Sequence, residues 1–402
     1  MTPFDNHPPL ADQQSADQQP ADQQSADQQP ADPSSGSTSD LADTTLSLSR
    51  GPIFLVRSSA PTRTADVGGW TDTWFAHHGT VCNIAIDHRA RVRVQAQPGR
   101  SRHVRLRIRM TGEDYQFDAA EPPGRHPIIE HAVVAADIPG AVEVDLDDSI
   151  LAGSGLGTSA SVMVALVAAL AAAIGDPLDA GETAALAHLQ ETVTGKQSGI
   201  QDHAAAAWGG ISRYDVRYPS VRREQLAVPD AAFAELSARL HTVYLGTPHA
   251  SSALHDEVIA RLDAGHGEAE LEQMRTAAAD AADALVAGRL DRYGRALMDA
   301  HDAIGSLHAG LVGDAARDLI GLASDHGARG WKVNGAGGSG GSVAVLGPAD
   351  PAADAALVAA VRARPGWSLV DAALGAPGVR TSVSVIDLRS GPDDLTGEVT
   401  RR

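Results

Sequence analysis

The chain is poor in aromatic rings, in cysteine and in positive charge. Phe, Trp and Tyr make up 4% of its 402 residues, so Ala, Val and Leu must fill most of any core. The single cysteine, Cys82, excludes an intrachain disulfide and suits a reducing compartment. Thirty-two Lys and Arg stand against 51 Asp and Glu, a formal net charge of −19. Such a chain is a poor partner for nucleic acid or an anionic membrane surface, because the electrostatic term opposes both. An anionic small ligand is not excluded, since it responds to local charge. The most apolar run, about 162–174, is Ala-rich and too short to span a bilayer. The opening MTPFDNHPPLADQQ lacks the basic start and apolar run of a secretory signal, so a cytoplasmic location is expected. Sixteen histidines fall into no HExxH or HxxEH pattern, and one cysteine rules out a cysteine-rich zinc site.

The length suits two domains. Residues 11–30 repeat a five-residue unit, ADQQS or ADQQP, four times, and "ADPSSGSTSD" follows. Almost nothing there can be buried to offset the entropy of ordering, so 1–50 is expected to be a disordered tail, inert or tethering. Order is expected from 51, with domains at 51–220 and 221–402. "PIFLVRSSAP" reads as a strand that stops at Pro61, and "TVCNIAIDHRARVRVQAQ" as one or two strands. "RHVRLRIRM" alternates basic with apolar, which puts Arg105, Arg107 and Arg109 on one strand face, read as solvated. "AVEVDLDDSI" is a further strand. Helices are expected at about 158–174 and 178–194, and much of 251–328 is helical in character. "GWKVNGAGGSGGSVAVLG" is a glycine loop entering a strand, "LVAAVRARPG" a helix and "GVRTSVSVIDL" a closing strand. Strands first, then mixed elements, favours α+β over a regular βαβ alternation.

The most informative stretch is "LAGSGLGTSASV", residues 151–162. Gly153, Gly155 and Gly157 permit close backbone approach, and Thr158 and Ser159 stand where a helix begins. The first turn of a helix offers unpaired N–H groups and a positive dipole end, so the loop can cradle a phosphate without a lysine. It is neither a Walker loop nor GxGxxG. Read alone, it is equally a Ser/Gly cap after a linker. Three more stretches bear on the choice. "SSAPTRTADVGGWTDT" (58–73) holds Arg63, Thr71 and Asp72. "GKQSGIQDHAAAAWGG" (195–210) holds Gly199, Gln201 and Asp202. "KVNGAGGSGGSVAVL" (332–346) is a second glycine loop.

Taken in order, "APTR…GGWTD", "LAGSGLGTSAS" and "NGAGGSGG" resemble the three motifs of the GHMP kinase superfamily, over about 55–390. "GGWTDT" and "GIQDH" are most similar to its sugar branch, the kinases of D-glycero-D-manno-heptose 7-phosphate and of L-fucose. The resemblance implies a two-domain α+β fold, with a ribosomal S5-like N-terminal and a ferredoxin-like C-terminal domain. It implies an ATP- and Mg2+-dependent phosphotransferase acting on the anomeric hydroxyl of a sugar or sugar phosphate, as monomer or homodimer. A heptose 7-phosphate is the leading substrate class; an L-fucose-type 1-kinase and a non-catalytic ATP- or sugar-binding relative are the alternatives.

By the same resemblance, Asp202 and Arg63 are catalytic. The backbone of Gly153, Ser154, Gly155, Leu156, Gly157, Thr158 and Ser159 holds the ATP phosphates, with Gly335, Gly337 and Gly338 closing from the second domain. Thr71, Asp72, Gly199 and Gln201 bind substrate. Ser159 and Glu191 hold the metal. The chain departs from the family at three places. Leu151-Ala152 replace the usual proline. Gln190 falls where the family's metal glutamate is counted, with Glu191 next to it. His203 replaces the second glutamine of QDQ.

Overall fold

The computed structural model describes residues 52–147, 151, 153–196, 198–248 and 252–386. The repeat-bearing tail therefore lies outside the described residues. In chain order the elements are β1 (Ile53–Val67), β2 (His78–Gln97), β3 (His103–Ile108), β4 (Glu113–Asp118), α1 (Pro127–Ala135), β5 (Ala141–Asp147), α2 (Thr158–Ala173), α3 (Ala180–Val193), α4 (Gln201–Trp208), β6 (Ile211–Arg217), β7 (Ser220–Gln225), α5 (Asp230–Arg239), β8 (Leu240–Tyr244), α6 (Ser252–Asp263), α7 (Glu268–Val286), α8 (Leu290–Leu307), α9 (Asp314–Asp325), β9 (Gly330–Val333), β10 (Ser342–Leu346), α10 (Pro351–Arg362), β11 (Ser368–Leu369) and β12 (Arg380–Ile386). This is an α+β fold.

Two sheets organise it. The larger runs β12-β1-β2-β5-β3-β4, with the β6–β7 hairpin attached through β2; the smaller runs β11-β8-β10-β9. The stretch read as one or two strands is one, β2, which serves two partners. Its second half, Arg91–Gln97, pairs with β5, and its first, His78–Ile84, pairs with β6. β1 does not stop at Pro61. It continues to Val67, with its register against β2 shifting between Pro61 and Thr62 and again between Thr64 and Val67. An irregular pairing tolerates a residue that has no N–H to give. That continuation carries Arg63 and Asp66 into the interior, where both are buried.

α2 explains the scarcity of aromatics. Thirteen of its residues are buried, nearly all Ala, Val, Leu or Met. Small side chains let it lie close to the sheet, with Val56, Val92, Val94, Val144 and Leu146 beneath it. α3 begins with a capping box, Asp179 accepting from the Glu182 N–H and Glu182 returning to Asp179. The helical stretch expected between 251 and 328 resolves into α6, α7, α8 and α9. α7 and α8 bury Ala277, Ala278, Ala281, Leu297 and Ala300 in a second core, against β1, β2 and the smaller sheet. The β6–β7 hairpin, β4, α1 and α5 have no counterpart in the sequence reading.

Arg105 and Arg107 do share a face of β3. Arg105 pairs with Asp114 at 2.7 Å, and Arg107 with Glu143 at 2.8 Å and Asp145 at 3.2 Å. Arg109 lies just past the end of the strand, its N–H donating to the Leu146 carbonyl.

Candidate active site

The loop 153–157 is laid directly across β1. The Arg63 N–H donates to the Leu156 carbonyl at 3.0 Å, and the Arg63 guanidinium donates to the Gly155 carbonyl. Ser342 Oγ donates to the Ser154 carbonyl at 2.7 Å. The carbonyls of 154–156 are thus taken up by the protein. The N–H groups of Gly155, Gly157, Thr158 and Ser159 have no acceptor among the described residues. Gly157 caps α2 with φ +73° and no side-chain cap bond, so the first turn keeps its donors free. Leu156 contributes backbone only, because its side chain is fully buried.

Against this loop stands an ion pair between the buried Arg63 and the half-buried Asp202. Arg63 Nε lies 2.8 Å from Asp202 Oδ1, and Nη2 lies 3.1 Å from Oδ2. Asp202 sits in the first turn of α4, where a helix favours a negative side chain. Burial opposes the charge on Arg63, but Asp202, Asp66 and Asp72 more than offset it and hold its pKa above the ordinary value. Asp202 also fixes the identity of residue 157: a Cβ there would sit 3.1 Å from the Asp202 carboxyl carbon, on a left-handed backbone.

Asp72 joins the first motif to α4. Its carboxylate accepts the Gln201 N–H at 2.9 Å, and its carbonyl accepts the Ile200 N–H at 3.2 Å. Gly199 is required beside it, since a Cβ would collide with the Asp72 carboxylate. Burial pushes the Asp72 carboxyl up from its ordinary value to about 6, the Gln201 N–H opposing and Asp202 adding to the rise. A carboxyl raised in the fold stabilises it below the ordinary pKa, and that contribution is lost as pH rises through about 6. The ionised group then costs about 3 kcal/mol. Asp72→Asn is therefore expected to melt higher than the parent at pH 8, with the gap closing by pH 4. Thermal unfolding at both pH values checks this; a variant that melts lower at pH 8 contradicts it.

A cavity of about 490 Å³ opens onto these groups. Its walls include Arg63, Trp70, Asp72, Trp74, Phe75, Gly199, Gln201, Asp202, His255, Asp256 and Gly335. Trp70 both packs and lines: its indole N–H donates to the Ala336 carbonyl at 3.1 Å, and its ring stands edge-on to His255. Thr71, expected at the substrate, turns away instead. It is fully buried, with its hydroxyl on the Gly68 carbonyl at 2.7 Å. A second cavity, about 370 Å³ and largely apolar, is lined by Gly153, Thr158 and Ser159 together with Met110, Ile128, Ile129, Val162 and Met163.

The two glycine loops meet. Gly155 lies so close to Asn334 that a Cβ would approach its carbonyl to 2.8 Å. The Gly335 N–H donates to Asp66 Oδ1 at 3.1 Å. Gly337 and Gly338 do not reach this junction. The Gly338 N–H bonds to the Leu311 carbonyl at 2.7 Å, and Gly337 packs on the same residue.

Sequence reasoning missed the residues that lock the junction. Asp66, fully buried, takes the Lys332 ammonium at 3.2 Å and the Gln201 amide at 3.4 Å, besides Gly335. Burial pushes the Lys332 pKa below its ordinary value, with Asp66 pulling against it. Asn334 Oδ1 accepts the Ala65 N–H at 2.9 Å. The signal available was a charged pair, one residue in each outer motif, with no pattern to show that they touch.

Glu191, not Gln190, faces the loop. Ser159 Oγ donates to Glu191 Oε1 at 2.6 Å, while Gln190 bonds His131 at 2.6 Å. The α3 helix turns adjacent residues about 100° apart, so only one of the two can point there. Lys196 Nζ touches Ser159 Oγ at 2.6 Å and Glu191 Oε1 at 2.8 Å, so this oxygen pair already attracts a cation. His203 Nε2 lies 3.2 Å from Glu191 Oε2. Burial opposes the charge on Glu191, but His203 and Lys196 outweigh it and hold the carboxyl well below its usual range. Among the described residues no group of three or more His, Cys, Asp or Glu forms a metal site. Two protein oxygens fit magnesium only in the manner of a nucleotide site, where phosphate oxygens complete the shell.

Residues 128–210 match the model of the GHMP kinases N terminal domain. Over 141 residues the chain is 33% identical to mevalonate kinase of Archaeoglobus fulgidus, 34% of this chain and 45% of that one, so it spans about half the length of the curated relative it matches. Its fold is similar to a D-glycero-D-manno-heptose 1-phosphate kinase from Bacteriodes thetaiotaomicron (TM-score 0.64, 20% identity, 81% of this chain and 98% of that one). It is also similar to Streptococcus pneumoniae phosphomevalonate kinase in complex with phosphomevalonate and AMPPNP (TM-score 0.62, 15% identity, 80% and 99%). Residues 128–210 thus resemble the N-terminal domain of the GHMP kinases, within an α+β fold similar to those of solved sugar and phosphomevalonate kinases.

Proposed function

We propose that this protein is an ATP-dependent kinase that phosphorylates the anomeric hydroxyl of a sugar. The observation that carries the reading is the Arg63–Asp202 pair, set between a loop of free N–H groups and a substrate-sized cavity. The free N–H groups of 155–159 receive phosphate oxygens, and the apolar cavity beyond Ser159 takes the adenine. Asp202 accepts the proton of the attacking hydroxyl. Arg63 keeps Asp202 oriented and, with its fixed positive charge, balances the negative charge that develops during transfer. Asp72, Gln201 and the Trp74 side of the cavity orient the sugar. Ser159 and Glu191 would hold magnesium, which supplies neutralisation of phosphate charge. Glu191→Gln is expected to weaken Mn2+ binding to the AMP-PNP complex by about tenfold or more, as loss of a charged ligand does, and Gln190→Ala to leave it unchanged. A paramagnetic titration reads both; equal effects would assign the metal elsewhere.

A heptose 7-phosphate is supported by the GGWTD and GxQD motifs. The cavity itself favours the second reading, a sugar without phosphate, such as an L-fucose-type substrate. Among the described lining residues Arg63 is the only Lys or Arg, and it is engaged by Asp202, while Asp72, Asp202 and Asp256 are acidic. ADP release over a panel of heptose 7-phosphate, free heptose, L-fucose, galactose and mevalonate, with phosphorus NMR of the product, decides. Higher kcat/KM on a free sugar than on its phosphate supports the second reading. Preference for the 7-phosphate by about tenfold or more restores the first. Turnover of mevalonate alone overturns both.

A further inference from the structure

α2 covers one face of the large sheet. The opposite face carries two rows of side chains across the strands. The register sets Ser382 opposite Arg57, Arg57 opposite Arg93, Arg93 opposite Asp145, and Asp145 opposite Arg107. The next row sets Arg380 opposite Ser59, Ser59 opposite Arg91, and Arg91 opposite Asp147, with Arg109 following at the end of β3. A groove of about 460 Å³ runs over these rows, lined by five arginines and only two carboxylates, in a chain whose formal net charge is −19.

Arg93 is held by Asp145 at 2.8 Å. Arg57, Arg109 and Arg380 lie in the same groove and make no side-chain hydrogen bond or ion pair with a described residue. Like charges directly across a ladder destabilise a sheet, and Arg57 faces Arg93 across β1 and β2. An anion between them reverses the sign. Guanidinium forks match phosphate oxygens two at a time. The strands are about 4.8 Å apart and the two rows two residues apart along each strand, so the guanidinia frame an area wider than one phosphate.

We propose that this groove binds a small anion carrying two or more linked phosphates, on the sheet face opposite the one that α2 covers. The lining shares no residue with either cavity of the catalytic site. The site therefore stands whether or not the kinase assignment does. An inorganic polyphosphate and an organic diphosphate share this chemistry.

The test is calorimetric titration of the full chain with inorganic tripolyphosphate, with the groove distinguished from the glycine loops by its own arginine variants. Saturable binding is expected in the parent, and a loss of about tenfold or more in the double variant Arg57→Gln/Arg380→Gln. Arg105→Gln, half-buried on this face but outside the groove and paired with Asp114, is expected to bind as the parent does. Uridine diphosphate and pyrophosphate arms separate the organic from the inorganic source. Absence of binding in the parent overturns the proposal, as does equal weakening in Arg105→Gln, which would mark a diffuse charge effect. Tighter binding of a poly-glutamate peptide than of tripolyphosphate also overturns it, in favour of an acidic protein segment.

Discussion

Asp202→Asn is expected to lower kcat by about a thousandfold, within the range contributed by a general base, while the melting temperature and the KM for ATP stay near those of the parent. The asparagine keeps an acceptor for Arg63 Nε and the same shape beneath Gly157. It loses the ability to take a proton. Asp66 lies 3.7 Å from Arg63, so the guanidinium keeps an anionic neighbour and the fold should hold. Single-turnover transfer from radiolabelled ATP, alongside thermal unfolding, separates chemistry from folding. A variant within about tenfold of the parent would remove Asp202 from the catalytic role, because that is less than a general base contributes.

The largest stability effect is expected at the Asp66–Lys332 pair. Both side chains are fully buried. Removing one member leaves a buried charge without its partner, which costs about 3–5 kcal/mol. Asp66→Ala also strips an acceptor from the Gly335 N–H and the Gln201 amide, so the glycine-loop junction should loosen with it. Lys332→Met should cost less than Asp66→Ala, because Asp66 retains its other donors and Arg63 nearby. Urea unfolding midpoints of the two single variants and of the double variant give the order. A double variant as stable as the better single one shows that the cost lies in the orphaned charge. A change below about 1 kcal/mol in Asp66→Ala would mean that water reaches the pair, as at an exposed ion pair.

Much of the site was legible because its parts are local. A glycine run before an Ala-rich stretch announces a loop entering a helix at 151–162, whatever surrounds it. The alternation of "RHVRLRIRM" announces β3 for the same reason. The place of Thr71 was not legible, because a hydroxyl in a glycine-rich motif serves equally for substrate or for turn carbonyls, and only packing shows that it bonds the Gly68 carbonyl. Pro61 was misjudged because a missing N–H ends a regular ladder but not an irregular one. The β6–β7 hairpin escaped because its outward residues are charged along much of its length, and its register comes from β2.

By itself the sequence determined the α+β class and the two glycine loops, and it offered the residue types proposed for phosphate, proton and metal. These follow from backbone freedom, periodicity and side-chain chemistry, which act over a few residues. Which of Gln190 and Glu191 faces Ser159 was decided by how α3 is rotated against α2. That Asp66 and Lys332, 266 positions apart, share one buried charge balance was decided by the approach of β1 to the second glycine loop. The arginine groove was likewise decided by strand register, since cross-strand neighbours are set by pairing and not by distance along the chain. Such contacts are properties of packing, and packing is the term that a single strand of letters leaves open.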